Sequence, residues 1–320
     1  MTSLTPTQPA RLPGPASTAA TTLHAVFETT KPGIVRLVTI TSLVGFALAA
    51  SARAWDTQAL LFAGVLSTLG TALSAAGANA INQWMERDRD ALMTRTQKRP
   101  LPTRRVVPGA VLIAGLALSA LGVGVLLCLP TWLPAALSLT CVLSYTLAYT
   151  PLKLLTPWAT YVGTIPGALP PLIGWTAASN SLADGLHPAG LSLVALMVAW
   201  QMPHSLALAW MYKDDYAKGG YRLLPVVTAS GPHTAWHSMV WAIVLIPAAL
   251  APAYFFRDRL GLVYASLALL TCLPFVHAAW RFLMLQDRPS ARRLFFVSII
   301  QLPILLIAMV AEAVLRAVAQ

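Results

Sequence analysis

Charge is what this sequence has least of. Asp, Glu, Lys and Arg make up 10% of the 320 residues, where a soluble domain carries about 25%. That excludes an ordinary water-soluble domain. Cysteine is nearly absent too: Cys128, Cys141 and Cys272 all sit inside apolar runs, without metal-ligand spacing. A disulfide framework and a zinc ribbon are excluded on that ground. Acidic residues number eleven against 22 basic ones. The first thirty residues lack the apolar core of a cleaved signal peptide and hold one basic residue, Arg11, before Lys31, too few for a typical organellar presequence. Residues 1–30 are expected to be a flexible cytoplasmic tail, and 31–320 one membrane domain.

Apolar residues make up 57% of the chain and mean hydropathy is +0.67, values of a polytopic membrane protein. Nine segments approach the ~20 apolar residues that a bilayer core requires: 34–52, 58–82, 107–128, 131–150, 158–178, 189–211, 237–256, 261–282 and 294–316. The expected fold is all-α, a bundle of nine transmembrane helices. The fifth segment is odd, since it carries Pro166, Pro170, Pro171, Gly163, Gly167 and Gly174. A broken helix at membrane depth is tolerated only against protein or a cavity, so this segment is expected to line one. The net charge of +11 reads as topology rather than as nucleic-acid binding, because 18 of the 22 basic residues fall in the N-terminal segment or after helices 2, 4, 6 and 8. Basic loops stay inside. The expectation is a bacterial inner-membrane protein with a cytoplasmic N-terminus and a periplasmic C-terminus.

Five of the eleven carboxylates fall in two places on that inner side: Glu86, Asp88 and Asp90 after helix 2, and Asp214 and Asp215 after helix 6. Asn82, Glu86 and Asp90 are spaced i, i+4, i+8, which puts three oxygen-bearing side chains on one helical face. Mg2+ takes a few such ligands and completes its shell with substrate phosphates. Arg89, Arg95, Lys98 and Arg99 follow closely, and arginine forks match phosphate oxygens. A metal site flanked by arginines at a membrane surface suits a diphosphate with a lipid tail. The positive-inside rule explains the basic residues but not carboxylates set among them at helical spacing. Glu86 and Asp90 are expected to face water at the helix end. Lys153 follows Tyr145 and Tyr149 at the inner end of helix 4, and Lys213 opens the second acidic group, so both lysines are candidate helpers.

His204 lies within the sixth span. On a continuous helix it would share a face with Asp215, roughly 16 Å away. A diphosphate could then sit at a pocket mouth with a bulkier substrate deeper down. Imidazole is a natural heme-iron ligand, but a packing role for His204 stays equally open. His233 and His237, an i, i+4 pair opening helix 7, read as an interfacial pair for want of a carboxylate partner.

The stretch Asn82-x-x-x-Glu86-x-Asp88-x-Asp90, followed by Arg95-Thr-x-x-Arg99-Pro-Leu, resembles the first aspartate-rich motif of the UbiA-type intramembrane prenyltransferases. Four further stretches resemble the heme O synthase branch of that family. These are Thr30-Lys31-Pro32, the Gly163-to-Trp175 run, Trp200-Gln-x-Pro-His204 with Asp214-Asp-Tyr-Ala-Lys-Gly-Gly, and Ala291-x-x-Leu-Phe-x-x-Ser298. Three positions depart from the family pattern: Glu86 stands where aspartate is usual, Arg89 where an apolar residue is usual, and Lys218 where a second aspartate would complete the later motif.

The resemblance implies nine helices around a central cavity open to the cytoplasm. It also implies farnesyl diphosphate as donor, heme B as acceptor, heme O as product and Mg2+ as cofactor. Hand-over of product to heme A synthase or to terminal-oxidase assembly is implied by the family alone. On this reading Asn82, Glu86, Asp90, Asp214 and Asp215 hold metal. Arg95, Arg99, Lys153 and Lys213 stabilise the leaving group, and Asp88, Arg89, Lys98, Tyr145, Tyr149 and His204 contact substrates. A quinone-type aromatic prenyltransferase and a membrane transporter are the alternatives; a transporter should carry charge near the bilayer midplane, whereas these charges lie at helix ends.

Overall fold

The structure, a computed structural model, describes residues 19–179, 181–228 and 232–319. Among them there is no β-strand. A short helix, α1 (Ala19–Thr29), leads into the long helices α2 (Pro32–Ser51), α3 (Thr57–Asp90), α4 (Pro108–Leu127) and α5 (Leu133–Leu155). Three short helices follow, α6 (Ala159–Val162), α7 (Thr164–Ala168) and α8 (Pro170–Ala177), then α9 (Leu182–Gly185) and α10 (Pro188–Met211). Two more short helices, α11 (Lys213–Lys218) and α12 (Leu224–Val227), precede α13 (Pro232–Phe255), α14 (Leu262–Leu285) and α15 (Arg288–Val318).

Eight of the described helices are long and apolar enough to cross a bilayer, one fewer than expected. The missing one is the fifth. Pro166, Pro170 and Pro171 each lack an N–H, which ends regular helical bonding, and the segment runs as α6, α7 and α8 instead. It still traverses the bundle. Its first residues pack beside Tyr149, whereas at its far end Trp175 Nε1 donates to the Asp184 carbonyl at 3.0 Å, and Asp184 meets Arg53 beyond the C-terminus of α2. A Cβ on Gly45 would collide with the Pro171 carbonyl and one on Gly174 with the Ser42 carbonyl, so α2 and α8 touch backbone to backbone. Such close approach needs small residues when apolar side chains gain nothing by leaving lipid.

The expected flexible tail falls largely outside the described residues, but its last part is α1. Ala25 packs against Ala80, Leu101, Val106 and Val111, the Thr29 carbonyl accepts Gln83 Nε2 at 3.0 Å, and Glu28 pairs with Arg105 at 2.7 Å. These contacts cap the end of α3.

Within α5, residues Ser144–Tyr149 form a π-helical turn immediately before Pro151. The proline ring excludes the carbonyl four residues back, and the chain widens. The Tyr145 carbonyl instead accepts the Thr150 hydroxyl at 2.8 Å. The widened turn stacks Tyr145 on Tyr149 with centroids 5.7 Å apart.

Candidate active site

Asn82, Glu86 and Asp90 occupy the last three turns of α3, on one face of a continuous helix. They do not face water as expected. Their exposures are 1%, 7% and 1%, because α1, α5 and residues 91–106 fold over that end of α3. Burial obliges each polar group to find a partner. Asn82 Oδ1 accepts Lys31 Nζ at 2.6 Å and the Tyr145 hydroxyl at 3.2 Å, and its Nδ2 donates to Thr150 Oγ1 at 2.9 Å. Glu86 is ion-paired with Lys153, whose ammonium also lies 4.9 Å from the Tyr149 ring centroid and 5.2 Å from that of Tyr221. Asp90 Oδ2 accepts Arg99 Nη1 at 2.7 Å, while Asp90 Oδ1 is buried without a hydrogen-bond partner.

Three of these residues, Lys31, Thr150 and Tyr221, are not among the site candidates that the sequence offers. Lys31 stands 51 positions from Asn82; the only local signal was its place in the Thr30-Lys31-Pro32 stretch. Its backbone is left-handed, φ 52°, an uncommon conformation for a non-glycine residue. Burial, aided by the Arg99 guanidinium, pushes its ammonium down to about 7. Its strained backbone aims the side chain into the cluster.

The second acidic group is built differently. α10 ends at Met211, and Tyr212, with φ −115°, breaks it from α11; His204 and Asp215 therefore share no continuous helix, contrary to expectation. Asp215 accepts the backbone N–H groups of Thr94 at 3.3 Å and Arg95 at 3.0 Å. Partial burial opposes the effect, but the Arg95 and Thr94 donors hold its carboxyl below the usual carboxylate value. The Arg95 guanidinium lies 4.8 and 5.3 Å from the Tyr212 and Tyr216 ring centroids and donates to the Tyr216 hydroxyl at 3.2 Å. Arg89 donates to the Gly219 carbonyl at 2.8 Å. The α11 region thus braces the loop that carries Arg95 and Arg99.

Other candidates are not brought to the cluster. Asp88 is 85% exposed at its side chain beside Arg87, Asp214 and Lys98 are exposed, and Lys213 lies over the Trp210 ring at 4.5 Å. His204 faces α15. Its Nδ1 meets Ser298 Oγ at 2.7 Å, and Trp200 and Phe295 stack on it at 4.9 and 4.7 Å.

A cavity of about 270 Å³ opens beside Tyr145 and Tyr149 and runs along α3 past Asn79 and Ser74 to Thr71 and Ile173. Gly163 and Gly167 of the broken segment form part of its wall; at Gly163 a Cβ would meet the Tyr149 ring at 2.8 Å. His204 is not among its lining residues.

Among the described residues, no three His, Cys, Asp or Glu side chains group into a complete metal cage. The donors at the α3 end are nonetheless all oxygen, with the orphan Asp90 Oδ1 among them. That set fits a hard cation which draws its remaining ligands from water and phosphate.

An apolar cavity adjoins a buried cluster of carboxylates and basic groups through Tyr145, whose ring lines the cavity and whose hydroxyl donates to Asn82, an arrangement suited to a membrane-embedded enzyme. The chain belongs to the UbiA prenyltransferase family, whose profile matches residues 38–300. It is 38% identical over 282 residues to a protoheme IX farnesyltransferase of Solibacter usitatus, covering 87% of this chain and 94% of that one. It is 37% identical over 306 residues to the protein of the same name from Myxococcus xanthus, covering 94% and 98%. Among solved structures, a digeranylgeranylglyceryl phosphate synthase superposes with a TM-score of 0.74 at 15% identity, covering 92% of this chain and 99% of that one. A UbiA homologue of Archaeoglobus fulgidus bound to GPP and Mg2+ gives 0.64 at 16% identity, covering 90% and 99%.

Proposed function

We propose that this chain transfers the farnesyl group of farnesyl diphosphate to a vinyl group of heme B, giving heme O. The relatives named protoheme IX farnesyltransferase support both substrates, at 35–42% identity. One observation in the structure carries the chemistry: three buried oxygen-bearing side chains, Asn82, Glu86 and Asp90, are ringed by Lys31, Lys153 and Arg99 and joined through the Tyr145 hydroxyl to the wall of an apolar cavity.

In this reading the farnesyl tail lies in the cavity and the diphosphate sits among those basic side chains, its negative charge favouring the protonated form of Lys31. Asn82, Glu86 and Asp90 would hold Mg2+, which would supply further positive charge to the diphosphate oxygens; the α11 carboxylates are the weaker candidates for a second ion. Arg95, Arg99, Lys31 and Lys153 stabilise negative charge as the C1–O bond breaks and its electron pair leaves with the diphosphate. The stacked rings of Tyr145 and Tyr149 flank the allylic cation. The vinyl π pair forms the new C–C bond to C1. The cation left on the porphyrin side chain takes the oxygen of water, which releases a proton, and a hydroxyethylfarnesyl group results. The apolar wall from Thr71 to Ile173 keeps other water from the cation.

The site end of the bundle faces the cytoplasm of a bacterial inner membrane, in keeping with its basic loops; a reporter inserted near Thr103 should be active inside. Product passes onward to heme A synthase or oxidase assembly.

The decisive experiment incubates purified protein with heme B, farnesyl diphosphate and Mg2+ and weighs the pigment by mass spectrometry. Heme O is expected, with none when the metal is chelated. Asp90→Asn, close in shape, should lower turnover by about 10²–10³-fold, the loss seen on removing one group that stabilises transition-state charge. Prenylation of a hydroxybenzoate with heme B untouched would instead make this a quinone-type enzyme.

A further inference from the structure

The histidine pair at the start of α13 lacks a carboxylate partner, but the fold supplies another. His237 Nδ1 lies 2.7 Å from the Tyr161 hydroxyl, which also receives Trp241 Nε1 at 3.4 Å. Tyr161 comes from α6, 76 positions away. A polar group that fixes one ring nitrogen orients the imidazole and leaves the other for a metal. His237 is only half-buried, whereas His204 has both ring faces covered.

The surroundings narrow the ligand. A bare metal ion needs three or four protein ligands, and no such group exists among the described residues. A single imidazole suits an ion that brings its own equatorial ligands, as heme iron does. A porphyrin plane stands perpendicular to the imidazole that ligates it. The rings of Trp158 and Tyr161 share that relation, at 77° and 80° to His237. Trp158 and Trp236 are 51% and 57% exposed, so this face offers aromatic surface to a flat apolar ligand. His233, exposed one turn earlier on the same helix, offers a hydrogen-bond donor to a propionate. The face also lies at the diphosphate end of the bundle, since Ala159 packs with Tyr149 and Leu152.

We propose that His237, set by the Tyr161 hydroxyl, is the axial ligand that docks the iron porphyrin acceptor against Trp158, beside the mouth of the prenyl cavity. This rests on heme B being the acceptor.

The test titrates detergent-solubilised protein with heme B and follows the Soret band, alongside turnover to heme O. Wild type is expected to show a histidine-ligated band. His237→Ala should lose it and regain it with added imidazole, and Tyr161→Phe should weaken heme binding by about tenfold, as loss of a supporting hydrogen bond does at other metal ligands. Metal-dependent farnesyl diphosphate binding by both variants, measured in the same samples, reports that they are folded. His204→Ala should keep the band. Wild-type turnover with a band indifferent to His237→Ala overturns the docking site and leaves the proposed function standing. Equal weakening of metal-free protoporphyrin IX and heme B by His237→Ala also overturns it, because the patch would then bind a flat ring without ligating iron. No heme binding and no heme O from wild type would overturn both.

Discussion

The carboxylates that end α3 and those that open α11 lie at the same end of the bundle and look alike in sequence. Physically they differ. Asn82, Glu86 and Asp90 are buried, each meets a basic side chain from elsewhere in the chain, and one oxygen of Asp90 has no partner. Asp214 is exposed, and Asp215 spends its oxygens on two backbone amides, with only the exposed Lys218 ammonium, 3.8 Å away on its own helix, as a cation partner. The first group is placed to meet a ligand. The second holds the loop on which Arg95 and Arg99 are presented. Two acidic clusters in one sequence therefore need not be two halves of one metal site; burial and the identity of the partners tell them apart.

The harshest way to break the comparison is Glu86→Ala. It should abolish turnover and also destabilise the protein, because Lys153 is left charged and unpaired inside the bundle; removing one partner of a buried pair costs about 3–5 kcal/mol. Thermal melts in detergent check this. Adding Lys153→Met to Glu86→Ala should restore much of the melting temperature without restoring turnover. A single variant as stable as wild type would mean that the pair is not buried in the folded protein.

Asp215→Asn sharpens the contrast. Its amide retains one acceptor for the Arg95 N–H, so the fold should hold. A looser loop should raise the KM for farnesyl diphosphate several-fold more than it lowers kcat. The carboxyl also sets a pH dependence. Its folded value lies below that of the unfolded chain, so its stabilising contribution is complete above the unfolded value of about 3.9 and disappears as pH falls through the folded one. Wild type and Asp215→Asn should therefore converge in melting temperature under acid and differ most near neutrality. A kcat collapse with unchanged KM would instead favour Asp215 as a metal ligand.

The smallest effect belongs to Asp214→Ala. An exposed residue without a partner changes stability by about 0.5 kcal/mol or less, and turnover should stay within about twofold. A loss as large as that of Asp90→Asn would erase the distinction between the two groups.

Spacing made the α3 face legible: residues four apart fall on one side of any helix, wherever that helix lies. The proline-rich fifth segment was legible as a break for the same local reason, since a missing N–H acts within one turn. The sequence misled about Glu86 and Asp90, because the end of a membrane helix rich in charge normally meets water. It misled about His204 too, because its distance from Asp215 assumed a helix that stops at Tyr212.

By itself the sequence determined the membrane setting, the helical class and the face on which the oxygen donors lie, all of which follow from composition and from periodicities a few residues long; the family motif was legible only as a resemblance. Only the tertiary structure decided which charges are buried and who partners them. Lys31 reaches Asn82 across 51 residues, Lys153 reaches Glu86 across 67, and Tyr161 reaches His237 across 76. Those pairings depend on how the helices pack. An acid's chemistry at this site depends in turn on its desolvation and its nearest cation, which no local pattern encodes.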